Sequence, residues 1–200
     1  QTECVRFSGL WKVQEAPPWE QGFVQYLDPL PWIEPDSIRQ ASRSYKLASA
    51  VGVNGFHMRH FSALSDPSLH ILMTLWSVME STGIIPTQIR VLRVALLEKP
   101  TGGWRPIGIC AGYYRIWGRL RRPILQAWEV TVQRPYLAAS AFAGAADVVW
   151  RQALRSESSV CNSQVSCSLL WDLAKFFETI CLDKLAARCK HLGFPEQIAA

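Results

Sequence analysis

The segment Leu169–Glu178 contains the residues whose types point most directly to chemistry. Asp172 ends a run of apolar residues, and the aromatic pair Phe176 and Phe177 follows it. A carboxylate at the edge of a buried strand costs free energy unless a partner compensates for its burial. A divalent cation is such a partner, and enzymes that act on phosphates hold cations with carboxylates. A turn cap or an ion pair with a lysine is the alternative that this segment leaves open.

A second motif, Leu96–Ile109, places two cations on either side of a glycine turn. Lys99 precedes Gly102 and Gly103, and Arg105 follows them. An arginine offers a planar fork for bidentate contacts and a lysine offers a mobile point charge, so the pair suits a phosphate group. An ordinary surface hairpin with charged residues beside its turn is the alternative.

The basic charge of the chain is concentrated in one segment. The 200 residues carry a formal net charge of +5, and 49% of them are hydrophobic, which is enough for a buried core. Between residues 99 and 134 only Glu129 opposes the basic residues Lys99, Arg105, Arg115, Arg119, Arg121, Arg122 and Arg134. Such a local field suits a polyanion such as nucleic acid, whereas a solvated helix face is the alternative.

The cysteines and the apolar runs indicate the compartment. The six cysteines form no CxxC pair, so we expect reduced, mostly buried thiols of an intracellular protein, nuclear or cytoplasmic. The pairs His57 with His60 and Cys189 with His191 lack a second half at zinc-site spacing. No signal peptide is recognisable, and no apolar run approaches the ~20 residues that span a bilayer, so no membrane partner is expected.

Apolar periodicity, helix caps and turn residues divide the chain into elements. Residues 1–35 are rich in Pro and Trp and indicate an extended arm. Pro123 should kink or divide the helix that contains it. We predict helices from Asp36 to Ala50, from Asp66 to Gly83, from Tyr113 to Gln133, from Asp147 to Ser156 and from Leu182 to His191, and strands at Ile89–Glu98, Trp104–Ile109 and Ser166–Leu173.

Together, the KPTGGWRPIGI motif at 99–109, the basic helix with YRIWGR and the strand ending in DLAKFFE resemble the reverse transcriptase domain of retroelements. The resemblance is closest to the non-long-terminal-repeat and group II intron type and covers residues 50–200. It implies an α+β fold: helix-rich right-hand polymerase fingers with the first part of the palm, truncated before the second catalytic hairpin. The implied division is an arm with a helical extension at 1–50, a fingers-like region at 51–160 and the start of the palm at 161–200.

The resemblance also implies roles for individual residues. Asp172 matches the first catalytic aspartate, a ligand of two Mg²⁺ (or Mn²⁺) ions, and the carbonyl of Leu173 matches a further ligand. Phe177 matches the steric gate that favours deoxynucleotides. Lys99 and Arg105 match the residues that contact the incoming triphosphate. The arginines expected near the template are Arg115, Arg119, Arg121 and Arg122.

The implied function is RNA-directed DNA polymerase, a retrotransposon nucleotidyltransferase that uses an RNA template, a DNA primer and dNTPs. The chain contains no Asp-Asp dipeptide for the second metal-binding element, and Asp183 is a poor substitute that we expect to cap a helix from Lys184. We therefore expect the 200-residue chain alone not to polymerise. The alternatives are a non-catalytic nucleic-acid-binding relic of a retroelement and an unrelated α/β domain with coincidental motifs.

Overall fold

The computed structural model describes residues 29–134, 144–169 and 179–199, which are mostly helical and include one two-stranded antiparallel sheet. This mixture agrees with the predicted α+β class, whereas fingers and palm remain predictions. The elements are α1 Pro35–Arg43, a 3₁₀ helix Met58–Ala63, α2 Asp66–Thr82, α3 Thr87–Arg90, β1 Arg93–Glu98, β2 Trp104–Ile109, α4 Gly112–Val132, α5 Ala145–Cys161, α6 Leu182–His191 and α7 Glu196–Ala199.

The core lies where α1, α2, α4 and the 3₁₀ helix meet. The apolar residues of α2 recur every three or four positions, so they share the face that packs inward. Trp76 at the centre of this face is fully buried, and Ile116 of α4 and Met58 of the 3₁₀ helix are fully buried beside it. Burial of each large apolar side chain contributes about 1.5–3 kcal/mol, so this cluster carries much of the stability of the described core.

The hairpin β1–β2 forms as predicted, with Leu97 opposite Arg105 in its register. Its turn needs glycine, because Gly102 and Gly103 have left-handed φ values of +83° and +85°. The first strand begins at Arg93 rather than at Ile89, because residues 87–90 form the single turn α3 after Pro86.

Apart from α1, the helices follow the predictions with three differences. Ser65 occupies the N-cap position of α2, whereas Asp66, which the sequence predicts as the cap, is the first helical residue; α4 continues past Pro123 without being divided. The helix α5 is longer than predicted and begins after Gly144, whose N–H donates to the Asp147 carboxylate at 2.7 Å. The helix α6 has the predicted bounds and is followed by Gly193 at a φ of +62°.

The helix α1 ends at Arg43 and not at Ala50, because the chain turns away to dock on the junction between β2 and α4. Gly52 makes the closest approach: a Cβ there would lie 2.8 Å from the Cα of Ala111 and from the carbonyl oxygen of Cys110. Only glycine fits without a backbone shift. The loop that follows α1 therefore packs against the start of α4.

Two further predictions are wrong within the described residues. Residues 166–169 are irregular and exposed rather than part of a buried strand, and residues 170–173 of that prediction lie outside the described ranges. The thiols of Cys161, Cys167 and Cys181 are exposed, and those of Cys110 and Cys189 are only partly buried. The cysteines described by the structure are therefore free, as predicted, but not mostly buried. None of the helices in the described ranges is long and apolar enough to cross a bilayer.

Candidate nucleotide and nucleic-acid site

The hairpin turn brings Lys99 and Arg105 to the same end and the same side of the sheet. Lys99 follows β1 directly, and its N–H donates to the carbonyl of Gly103 at 2.9 Å, which extends the pairing beyond Glu98. Lys99 therefore lies two positions after Leu97, the residue opposite Arg105, and alternate residues of a strand share a face. Both cations are exposed, and neither pairs with a carboxylate in the described part of the chain.

The register separates the charges of the hairpin onto its two faces. Arg93 lies opposite Ile109 on the face of Arg105, whereas Glu98 lies opposite Trp104 on the other face. The cationic face borders an open cavity of about 410 Å³, which we call the hairpin groove. Its lining residues are Ala50, Ala95, Leu97, Ile107, Gly108, Ile109 and Arg115. The groove thus combines an apolar floor with positive charge.

Two of the four arginines expected near the template stack on one aromatic ring. The guanidinium carbons of Arg115 and Arg119 lie 5.3 and 3.8 Å from the centroid of the Tyr45 ring. Arg115 also donates to the carbonyl of Ala50 at 2.6 Å, and Arg119 donates to the hydroxyl of Ser44. The groups that hold these two guanidiniums are uncharged.

Arg121, which was expected to lie near the template, is instead buried inside the protein. Its guanidinium forms a bidentate pair with the Glu80 carboxylate at 2.6 and 2.7 Å, and it also donates to the carbonyl of Pro31 at 2.7 Å. The two side chains are only 6% and 8% exposed. Arg121 is thus buried and neutralised inside the protein, where it joins α4 to α2 rather than facing a template.

Sequence reasoning missed Glu80, although a signal for it exists. Glu80 follows Trp76 by one helical turn, on the buried face of α2. A carboxylate on an apolar face requires a cation or hydrogen-bond donors. Trp117 supplies another donor, since its indole N–H lies 2.6 Å from Glu80 Oε1. Burial, together with the nearby charge of Glu80, raises the pKa of Tyr113 above its usual value.

Arg122 is exposed, as a template contact requires.

Asp183 lies in the first turn of α6, whose N-cap is Cys181, so the predicted cap at Asp183 is wrong. A carboxylate there interacts favourably with the helix dipole.

The residues predicted to bind metal and the sugar, Asp172, Leu173 and Phe177, lie outside the described residues. Within residues 29–134, 144–169 and 179–199, no group of three or more His, Cys, Asp or Glu side chains could hold a metal ion. The predicted metal site thus depends on Asp172 and its neighbours.

Comparison with protein-family models, with curated proteins and with solved structures gives no match. The sequence motifs and the geometry of the hairpin and of α4 therefore carry the functional evidence for this protein.

Proposed function

We propose that this chain is the fingers and the start of the palm of an RNA-directed DNA polymerase. The observation that carries the proposal is the hairpin register, which supports contact of Lys99 and Arg105 with one phosphate-bearing ligand. A dNTP triphosphate concentrates negative charge, and the transfer of its phosphoryl group depends on positioning and on positive charge more than on covalent chemistry. The two cations with no carboxylate partner among the described residues match that requirement.

In this proposal, the RNA template and the DNA primer lie along the basic segment that follows the hairpin. Arg115, Arg119 and Arg122 would contact their phosphates, whereas Arg121 would hold α4 in place. Phosphate contacts from arginines supply affinity and orientation for nucleic acids without reading the base sequence.

The catalytic part of the proposal belongs to the residues around Asp172. Asp172 and the Leu173 carbonyl would hold Mg²⁺ (or Mn²⁺), which would offset the charge of the phosphates. Phe177 would place an aromatic ring under the sugar and exclude a 2′-hydroxyl. Because no Asp-Asp element is present in these 200 residues, polymerisation is proposed for a full-length parent protein and not for this chain alone.

Binding of a dNTP in the presence of Mg²⁺ and an RNA template–DNA primer tests the hairpin assignment. Lys99→Gln and Arg105→Gln should each weaken dNTP binding by about tenfold, because each removes a charge-assisted contact with the triphosphate. Lys184→Gln and Arg188→Gln are matched controls, since both residues lie on α6 and not on the hairpin. Binding of dNTP that does not change in the hairpin variants would contradict the proposal.

A non-catalytic RNA-binding relic is the second candidate, and the stacked pair Arg115 and Arg119 favours it equally. The same titration separates the two functions. A relic should bind RNA with an affinity that does not depend on dNTP, and Lys99→Gln should then lower only the affinity for RNA. A polymerase module should bind dNTP through Lys99 and Arg105.

A further inference from the structure

Arg115 and Arg119 form a pair of charges on α4 that no carboxylate among the described residues compensates. They are four residues apart, so they lie on the same helix face, where like charges repel each other. Within the described residues, the contacts to their guanidiniums come from the carbonyl of Ala50, the hydroxyl of Ser44 and the ring of Tyr45. Neutral acceptors satisfy N–H donors but leave the positive charge in place.

Other arginines of the same protein show the opposite arrangement. Arg121 is neutralised by Glu80, and Arg39 contacts the carboxylates of both Asp36 and Asp66. The Arg39 guanidinium lowers the pKa of Asp66, as expected for a compensated pair. Compared with these pairs, the two arginines at Tyr45 are held in position while their charge remains available to an anion.

Tyr45 contacts both guanidiniums through its ring and contacts the backbone of α4 through its hydroxyl. Its ring lies beneath both side chains, and its hydroxyl donates to the backbone carbonyl of Arg115 at 2.8 Å. A cation over an aromatic ring is attracted by the ring's quadrupole, and an ordered arginine loses less entropy when it binds phosphate. A guanidinium has five N–H donors, so donors remain for an incoming oxyanion.

We propose that Tyr45, Arg115 and Arg119 form one phosphodiester-binding unit, with Tyr45 as the positioning residue that presents the two arginines to the backbone of a nucleic-acid strand. The unit rests on the proposed function and deepens it, because it adds a residue outside the hairpin. Arg115 also lines the hairpin groove, so the unit would place a strand at the edge of the site proposed for the nucleotide.

The test measures binding of a single-stranded RNA oligonucleotide to the full 200-residue chain across a KCl series. The double variant Arg115→Gln/Arg119→Gln should make the negative slope of log K against log salt shallower by about 1.4, which corresponds to two lost phosphate contacts. Arg39→Gln is the matched control and should leave the slope unchanged, because its charge is already compensated. An unchanged slope in the double variant would overturn the unit.

The role of Tyr45 is tested by a mutant cycle. Tyr45→Leu should weaken RNA binding by about tenfold in the wild-type background but not in the background that lacks both arginines. Tyr45→Phe should bind like the wild type, because it keeps the ring. Equal losses in both backgrounds would show that Tyr45 acts only through folding and would overturn its positioning role.

Three outcomes of these measurements separate this inference from the proposed function. If the wild-type chain binds neither RNA nor dNTP, both the proposed function and the unit fail. If RNA binding is intact and insensitive to all three substitutions, the unit alone fails. If the double variant loses affinity for free dNTP but not for RNA, the arginines bind a triphosphate, and the assignment to a strand backbone is overturned.

Discussion

The arginines of α4 lie in two different environments, and the groups that contact each guanidinium determine whether its charge is compensated. Arg121 pairs with a buried carboxylate and becomes part of the core, whereas Arg119 stacks on the ring of Tyr45 and has no counter-charge among the described residues. The sequence shows only that both are basic residues on α4. A charge cluster read from a sequence therefore overestimates the number of residues available to a polyanion.

At the residue scale, the pair formed by Glu80 and Arg121 should dominate the stability of the contact between α2 and α4. Glu80→Gln should lower the free energy of unfolding by about 3–5 kcal/mol, because it leaves the guanidinium buried without a counter-charge. Urea unfolding at neutral pH measures this loss.

The control for this prediction is Arg39→Gln, which breaks an exposed ion pair and should have a much smaller effect. The double variant Glu80→Leu/Arg121→Met should recover part of the stability lost by Glu80→Gln, since apolar residues can replace a buried ion pair but leave the Trp117 N–H and the Pro31 carbonyl without these partners. A loss in Glu80→Gln as small as that of the control would show that the pair contributes little.

At the element scale, the hairpin was predictable because its signal is local. Thr101, Gly102 and Gly103 specify the turn within a few residues, and the strands on either side pair with each other. The end of α1 was not predictable in this way. Tyr45 lies just after α1 and contacts Arg115 and Arg119, which are 70 or more residues later in the chain. No sequence pattern within α1 indicates that these contacts end the helix.

The turn should depend on glycine at both left-handed positions. Gly102→Ala and Gly103→Ala should each destabilise the hairpin by about 1–2 kcal/mol, because a Cβ is disfavoured at positive φ. Amide hydrogen exchange at Lys99, whose N–H closes the turn, measures the effect. Gly118→Ala is the matched control: it lies within α4 with open space around its Cβ position and should leave exchange at Lys99 unchanged. Equal exchange in all three variants would show that the turn does not require glycine.

At the scale of the whole molecule, sequence reasoning anticipated the α+β mixture and most of the helices. It could not anticipate the buried ion pair, because Glu80 and Arg121 are 41 residues apart and meet only when α2 packs on α4. The predicted strand Ser166–Leu173 shows a second limit of prediction from sequence. Its leucines and its tryptophan form an apolar run, yet residues 166–169 lie exposed, since composition does not say what covers a segment.

The proposal that this chain is the nucleotide-binding part of an RNA-templated DNA polymerase can be tested in one assay. The most direct measurement is primer extension on an RNA template with Mg²⁺ and all four dNTPs, comparing the full-length parent protein, its Asp172→Asn variant and the 200-residue chain alone. We predict synthesis by the parent, no synthesis by the variant with its RNA–DNA binding intact, and none by the chain alone. Synthesis that survives Asp172→Asn, robust synthesis by the isolated chain, or a parent that binds RNA without extending the primer would contradict the account.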